Sequence, residues 1–499
     1  MKLLRNSLYS LLPAILPTFL AIVTLPMFVS AIGPGRYGVL SIAWIVLGYF
    51  GAADFGIGRA ITQRISVMRD EGAAARANAV WSALVSMAGF GLIGGLLVYL
   101  SADWYFSGAF NADAGIKGEI RSALWILALC NPVMAVSGVL SGALVGLERF
   151  KLVSLCSVLS NSALLLFPLA TALFLDTSLS ALILASLAAR LLGGILLSAG
   201  VWLAFLKGQP LAFSRGEIRR LANFGAWIMV TALIGPLMVF ADRLMIGAVQ
   251  NAAAVAAYAI PFQIASRTLI FPLSVTQALF PRFAYEAAEE SRARARDFAI
   301  FVGQLFAPLT IALICLASPL LQLWLGSAFD PRSVMVAQLV LAGFWANAIA
   351  QVPYGFIQAR GNPRFTALVH VTELPFYLLL LYILGQQYGL TGIAAAFAVR
   401  CGVDCILLCR KAGAADRGVI LRLAAPGLLV AGSVAVGLLV TEWTTLFAFA
   451  CVLVCAALAA MLLGMPRPIW NRIVQIPLIS RIYKLAGRPF SKWPPRSGA

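Results

Sequence analysis

Five arginines stand inside long apolar runs of the sequence: Arg59, Arg190, Arg243, Arg267 and Arg400. Four carboxylates accompany them, Asp54, Asp242, Glu373 and Asp404. A guanidinium fork binds a phosphate or carboxylate bidentately and keeps its charge at any physiological pH. A carboxylate in such surroundings either pairs with that cation or takes up a proton or sodium ion. At about 2.5 to 3.5 kcal/mol each near a helix centre, five arginines facing lipid tails would cost on the order of 15 kcal/mol. They therefore belong to a wet interior cavity lined by both signs with a positive excess. Arg267 and Arg400 lie near the middles of their runs, where snorkelling to headgroups is hardest, and Arg190 is intermediate in depth. Arg59 and Arg243 lie near run ends, so they either line the cavity or snorkel. Asp54 either pairs with a neighbouring helix or couples an ion. Arg400 and Asp404, four apart, share a helix face and can pair directly.

The other chemistry-bearing residues read more plainly. His370 is the only histidine, which leaves no zinc site built on several imidazoles. It stands three residues before Glu373 as either a proton relay or a hydrogen-bonded structural side chain, the latter being preferred. Cys401, Cys405 and Cys409, like Cys451 and Cys455, repeat at four-residue spacing and suit small packing residues better than metal thiolates. Gly89, Gly91, Gly94 and Gly95 suit close helix packing or bending. No Gly-x-x-x-x-Gly-Lys-Ser/Thr phosphate loop occurs, and no catalytic residue, metal site or cofactor is expected.

The elements that carry these residues follow from composition. The 499 residues are 61% hydrophobic and 11% charged, with mean hydropathy +0.93. No water-soluble fold buries that much apolar surface behind so few charges. A span needs roughly 20 apolar residues, and fourteen such runs can be read, near 8–31, 38–60, 79–101, 121–145, 152–174, 181–206, 222–247, 256–280, 298–324, 334–358, 366–385, 391–409, 424–441 and 444–464. Positive residues mark alternate connections: 28 of the 37 Lys and Arg fall on one side, against Arg36, Lys117, Arg121 and Arg332 on the other. By the positive-inside rule both termini are cytoplasmic. The net charge of +18 is thus topological and does not signal nucleic acid. No translocated connection is long enough to fold as a catalytic module, and the first, Gly33 to Arg36, lacks the acidic residues a membrane glycosyltransferase uses to hold a metal and phosphate donor.

A weak internal repeat relates the segment from Leu4 to that from Leu221. Each has an Asn near the cytoplasmic face (Asn6, Asn223), a proline-bearing span and a Tyr opening the next span (Tyr37, Tyr258). Ordered short stretches then carry a resemblance: Ile32-Gly33-Pro34-Gly35-Arg36-Tyr37-Gly38, Asp54-Phe55-Gly56-Ile57-Gly58-Arg59, Gly146-Leu147-Glu148-Arg149-Phe150-Lys151, Asp242-Arg243-Leu244-Met245-Ile246-Gly247, Leu279-Phe280-Pro281 and Tyr388-Gly389-Leu390-Thr391-Gly392-Ile393-Ala394-Ala395. Over most of residues 1–415 the chain resembles the oligosaccharide flippases of the multidrug/oligosaccharidyl-lipid/polysaccharide exporter superfamily, including the Wzx-type O-antigen flippases. One departure is Asn362-Pro363, where a more basic pairing is common.

The resemblance implies an all-α polytopic membrane protein of about fourteen transmembrane helices, with two six-helix lobes in a V around a central cavity and two C-terminal helices. On this sequence the N-lobe is 1–206, a cytoplasmic linker 207–221, the C-lobe 222–409, spans 13 and 14 fall in 410–465, and a basic tail is 466–499. The implied activity is transfer of undecaprenyl-pyrophosphate-linked oligosaccharide repeats across a bacterial inner membrane by alternating access. Arg267, Arg400, Arg190, Arg59 and Arg243 would meet pyrophosphate or glycan. Asp54, Asp242, Glu373 and Asp404 would couple H+ or Na+ or pair charges. Membrane lipids, and a glycan polymerase with its assembly proteins, are the implied partners. A lipid II flippase and a multidrug or cation antiporter are alternatives; a membrane glycan polymerase or ligase is disfavoured by the short outer loops. The tail, with seven Lys/Arg, no acid and interleaved Ile and Leu, reads as an interfacial amphipathic segment followed by a proline-rich end.

The topology makes a direct prediction. Alkaline phosphatase, active only outside the cytoplasm, is expected to be active when fused after residue 330 and inactive when fused after residue 214. The reverse pattern would overturn the assignment of sides.

Overall fold

A computed structural model describes residues 2–52, 57–68, 71–219, 238, 240–440 and 442–474, and every regular element among them is helical. Hydrocarbon offers no hydrogen bonds, so a spanning segment must satisfy its backbone internally, as a helix does. Ten of these helices are long and apolar enough to cross a membrane, or eleven if the bent pair Ala252–Arg267 and Ile270–Phe280 forms one span. The chain is therefore a multi-pass α-helical membrane protein.

The fourteen apolar runs do not appear as fourteen separate helices. The first two share the helix Lys2–Ala52, and runs 366–385 and 391–409 share Pro363–Ala412. At 1.5 Å per residue, an unbroken helix of 51 residues would extend about 75 Å, over twice the hydrocarbon thickness. Each is broken by a glycine at positive φ: Gly33 (φ 78°, ψ 160°) and Gly389 (φ 59°, ψ −134°), a backbone region that glycine enters without a Cβ penalty. The run 222–247 lies largely outside the described residues.

The chain divides into two compact units, residues 1–259 and 260–499. In the first, Ala73–Trp104, Ala114–Gly146 and Leu179–Val201 pack around Val80, Val139, Leu144 and Val201, with Ile61 and Ile65 from the short helix Ile57–Val67. Small residues set its closest approaches. A Cβ on Gly38 would lie 1.9 Å from the Ala252 carbonyl oxygen, one on Gly142 2.3 Å from that of Gly58, and one on Gly95 2.6 Å from that of Ala128. Thr62 Oγ1 shares its hydrogen between the carbonyls of Gly58 (2.8 Å) and Gly142 (2.9 Å), the small-residue and hydroxyl packing expected between helices in lipid. Near the Gly33 break, Arg36 grips Glu119 through Nε (2.9 Å to Oε2) and Nη2, and Glu119 also accepts from the Leu179 N–H (3.2 Å). One carboxylate thus joins three helices. Arg64 makes the corresponding bidentate contact with Glu217, at 3.0 and 2.8 Å.

In the second unit the core gathers Phe283, Val302, Phe306, Ile349, Phe356 and Leu408, and the cysteine run contributes Cys409 directly to it. The Asn362-Pro363 departure is a helix start: Asn362 Oδ1 accepts from the Phe365 N–H (3.3 Å) and Pro363 takes the first turn, where its missing N–H costs nothing. Asp416 caps Arg417–Leu439 through the Val419 N–H (2.8 Å); that bond and the Arg296 guanidinium hold its carboxyl below the usual range. After the Gly389 break, Gly392 lets the second arm of Pro363–Ala412 lie against the first, since a Cβ there would sit 2.0 Å from the Leu384 oxygen. The helix Trp443–Gly464, with mean hydropathy 2.8, has only 17% of its span buried, so most of its surface is left for lipid. Met465, Ile469 and Trp470, at the start of the basic tail, pack on Phe298 and Phe301; residues 475–499 lie outside the described residues.

The close approach at Gly38 predicts that Gly38→Val overpacks the first unit by about 1 to 3 kcal/mol or more, read as a thermal midpoint several degrees lower in detergent. Gly89→Ala, which meets nothing within 4 Å, should leave the midpoint unchanged or slightly raised. Equal midpoints for Gly38→Val and the unaltered protein would contradict the packing.

Candidate functional site

Folding Pro363–Ala412 back at Gly389 sets residues 370–377 of one arm against 397–404 of the other. Arg400 lies over two rings, its guanidinium carbon 5.2 Å from the centroid of Tyr377 and 5.4 Å from that of Phe397. Both ring faces attract the cation. Its Nη2 is 3.6 Å from Cys401 Sγ, and its buried Nε has no acceptor. Glu373, 9% exposed, has both carboxylate oxygens buried without a donor. The face also borders a cavity of about 290 Å³ lined by Glu373, Tyr377 and Arg400 and by apolar Phe376, Val399 and Val403.

The pairing that four-residue spacing allows between Arg400 and Asp404 is not made. Asp404 Oδ1 lies instead 3.8 Å from His370 Nε2, and His370 is stacked on Tyr354 with ring centroids 6.1 Å apart and planes at 12°. Spacing places Arg400 and Asp404 on one face but cannot see the facing arm, which supplies rings to the arginine and an imidazole to the aspartate. Tyr377 escaped the sequence reading although it follows Glu373 by one helical turn; that spacing was its only signal. The result is a cluster of one guanidinium, two carboxylates and one imidazole with several bonding positions open. Polar groups left open in so apolar a setting mark a functional site more readily than a structural one.

The remaining arginines divide. Arg190, half-buried on Leu179–Val201, reaches Asn161 Oδ1 at 3.4 Å, and its buried Nε has no acceptor. Arg267 ends the helix Ala252–Arg267 at the 41° bend and is exposed, which places it at the break in the middle of the bent pair spanning 252–280. Among the described residues no carboxylate forms an ion pair with Arg190, Arg267 or Arg400. Arg243 differs: it is 2% exposed, its Nη1 is 2.9 Å from Asp242 Oδ1, and its guanidinium lies 5.5 Å from the Tyr258 ring. The Tyr258 hydroxyl donates to Asp242 Oδ2 at 2.6 Å. Arg243 does not snorkel, and Asp242 is committed to this buried triad. Arg59 belongs to Ile57–Val67, but its side chain, like Asp54, lies outside the described residues.

The Arg400 cluster can hold an anion on a guanidinium with no carboxylate at ion-pair distance, and a cation or proton on Glu373 and Asp404. A family model described as "Polysaccharide biosynthesis protein" matches residues 3–286, more than half of the chain. The "Putative O-antigen transporter" of Shigella flexneri is 29% identical over 410 residues, 82% of this chain and 97% of that protein. Among solved structures, the lipid II flippase MurJ in an inward closed conformation gives a TM-score of 0.69 at 13% identity, over 94% of this chain and 99% of that one. An inward-facing multidrug resistance MATE family transporter of the MOP superfamily gives 0.65 at 14%, over 83% and 98%. At those identities the likeness is one of fold. The chain belongs to the polysaccharide biosynthesis protein family and shares the fold of the MOP superfamily transporters.

Proposed function

We propose that this protein is a flippase that carries polyprenyl-pyrophosphate-linked oligosaccharide repeats from the inner to the outer leaflet of a bacterial inner membrane, for O-antigen, capsule or exopolysaccharide assembly. The observation that carries the proposal is Arg400, held between Tyr377 and Phe397 without a carboxylate partner beside an open cavity. A buried guanidinium without a contact ion pair is costly in a membrane protein unless hydrogen-bonding anionic oxygens arrive with the cargo. Pyrophosphate supplies such oxygens, and guanidinium suits them. Arg190 in the first unit and Arg267 in the second likewise form no ion pair with a carboxylate among the described residues. The family match and the Shigella flexneri relative support a glycan cargo, and relatives that are transporters set the chain among carriers and apart from enzymes.

The carrier works by alternating access. The membrane potential favours outward movement of an anion by about 2.3 kcal/mol per charge per 100 mV. Among the described residues, Glu373 and Asp404 are the candidate carboxylates open to a coupling H+ or Na+, since Asp242 is held by Arg243 and Tyr258. Undecaprenyl is the expected lipid, and a glycan polymerase the expected downstream partner.

In a strain lacking the chromosomal gene, Arg400→Ala and Arg267→Ala are each expected to cut surface glycan by about 10- to 100-fold, the equivalent of one lost charge-assisted hydrogen bond. Lipid-linked repeats should accumulate on the inner leaflet, and Arg400→Lys should restore part of the loss. Normal surface glycan from both alanine variants at equal protein level would contradict the proposal.

A further inference from the structure

Three of the four glutamines on two neighbouring membrane helices of the second unit are Gln277 on Ile270–Tyr285, and Gln351 and Gln358 on Arg332–Ala359. An amide turned to lipid tails loses hydrogen bonds that nothing replaces. These three are nevertheless gathered together. Gln351, Gly355 and Gln358 follow one helix face at four- and three-residue spacing, as Leu273, Gln277 and Phe280 do on the other. Gly355 brings the faces together, because a Cβ there would lie 2.3 Å from the Thr276 methyl. These two faces, with Tyr354, line a cavity of about 410 Å³.

Its chemistry is unlike that of two other cavities among the described residues. The space at Arg400 carries charge, and one at Trp81 and Trp202 in the first unit is almost wholly apolar. The glutamine cavity has no charged lining residue, but it has amides that donate and accept, the Thr276 hydroxyl, and the rings of Tyr354 and Phe280. Thr276 Oγ1 is buried without a partner, Gln277 is exposed, and Gln351 is steadied by Asn347, whose Oδ1 accepts from its Nε2 at 3.0 Å. Phe280 is 41% exposed. Neutral two-way hydrogen bonding beside an aromatic wall suits an uncharged polyhydroxylated ligand: hydroxyls meet amides, and the C–H face of a sugar ring lies on the aromatic ring. Phosphate would gain little there, having no cation to meet.

We propose that this cavity is a subsite for the neutral sugars of the cargo, separate from the arginines that take its phosphates. Gln277, Gln351 and Gln358 bind sugar hydroxyls, and Phe280 and Tyr354 provide the stacking surface. Tyr354 also backs His370, so the sugar subsite and the charged cluster share a wall. This inference rests on the flippase reading.

The test compares two cargoes in the deletion strain: the complete lipid-linked repeat, and the carrier bearing only its first sugar, made in a host lacking the later glycosyltransferases. Outer-leaflet arrival is read on spheroplasts with a membrane-impermeant periodate tag. Gln277→Leu, on the exposed face, and Gln351→Leu are expected to lower the ratio of complete-repeat to one-sugar transport by about tenfold, the equivalent of one or two lost hydrogen bonds. Arg400→Ala should depress both cargoes and leave the ratio within about twofold of the unaltered protein. An unchanged ratio in both glutamine variants, whether both cargoes move normally or both are lost together, would overturn the subsite. Transport of neither cargo by the unaltered protein would overturn the flippase reading itself, and the subsite with it.

Discussion

A charge in hydrocarbon must be met by another charge, by a dipole or by water, and most of this structure answers to that requirement. The Asp242, Arg243 and Tyr258 triad meets it internally: every major charge there is spent inside the packing of the first unit. Arg36 and Glu119, beside the Gly33 break, pair outside the apolar runs read as spans and fasten three helices in doing so. The cluster in the second unit leaves it unmet. Arg400 has ring faces but no carboxylate, and Glu373 has no donor at all. A half-satisfied network is less stable than either a complete one or an apolar core, so the open positions are intelligible as places for a cargo and its coupling ion.

The same site depends on a backbone device. Gly389 reverses a 50-residue helix, and Gly392 lets its arms touch, so residues separated by more than twenty positions face each other across one cavity. Gly33 breaks the first long helix in the same manner, and Gly38 then seats it on Ala252. The short glycine-bearing stretches that carried the family resemblance are therefore mainly places where helices break or touch. Asp242 to Gly247 fits this pattern: the Tyr105 hydroxyl donates to the Leu244 carbonyl at 2.7 Å, and Gly247 leaves room for Tyr105 and Phe110.

Much of this was legible in the sequence because hydropathy and the cost of buried charge act on single residues. Apolar runs and the unusual standing of Arg190 and Arg400 could be read that way, while the family was legible only as a resemblance carried by ordered short stretches. What depended on the facing helix could not. Spacing put Asp404 on the face of Arg400, yet the opposite arm offered it His370. Arg267 is central in its run, but the bend that follows it interrupts no hydropathy pattern and could not be read. Arg243 looked free to snorkel until Asp242 and Tyr258 were seen to enclose it. The glutamine cavity was invisible for a different reason: three neutral amides scattered over two helices alter neither charge nor hydropathy enough to stand out, and only their convergence gives them meaning.

The proposed function is the movement of an anionic, sugar-bearing lipid across the membrane, drawn by guanidinium groups without contact ion pairs and without covalent chemistry. Its most direct measurement uses the purified protein in liposomes holding a short-chain polyprenyl-pyrophosphate oligosaccharide, with the fraction accessible to an external sugar-oxidising reagent followed in time. The protein is expected to speed exchange between leaflets with no nucleotide present, and an inside-positive potential imposed on molecules flipping outward is expected to slow it. Exchange no faster than in protein-free liposomes, or exchange only on addition of ATP, would contradict the proposed function.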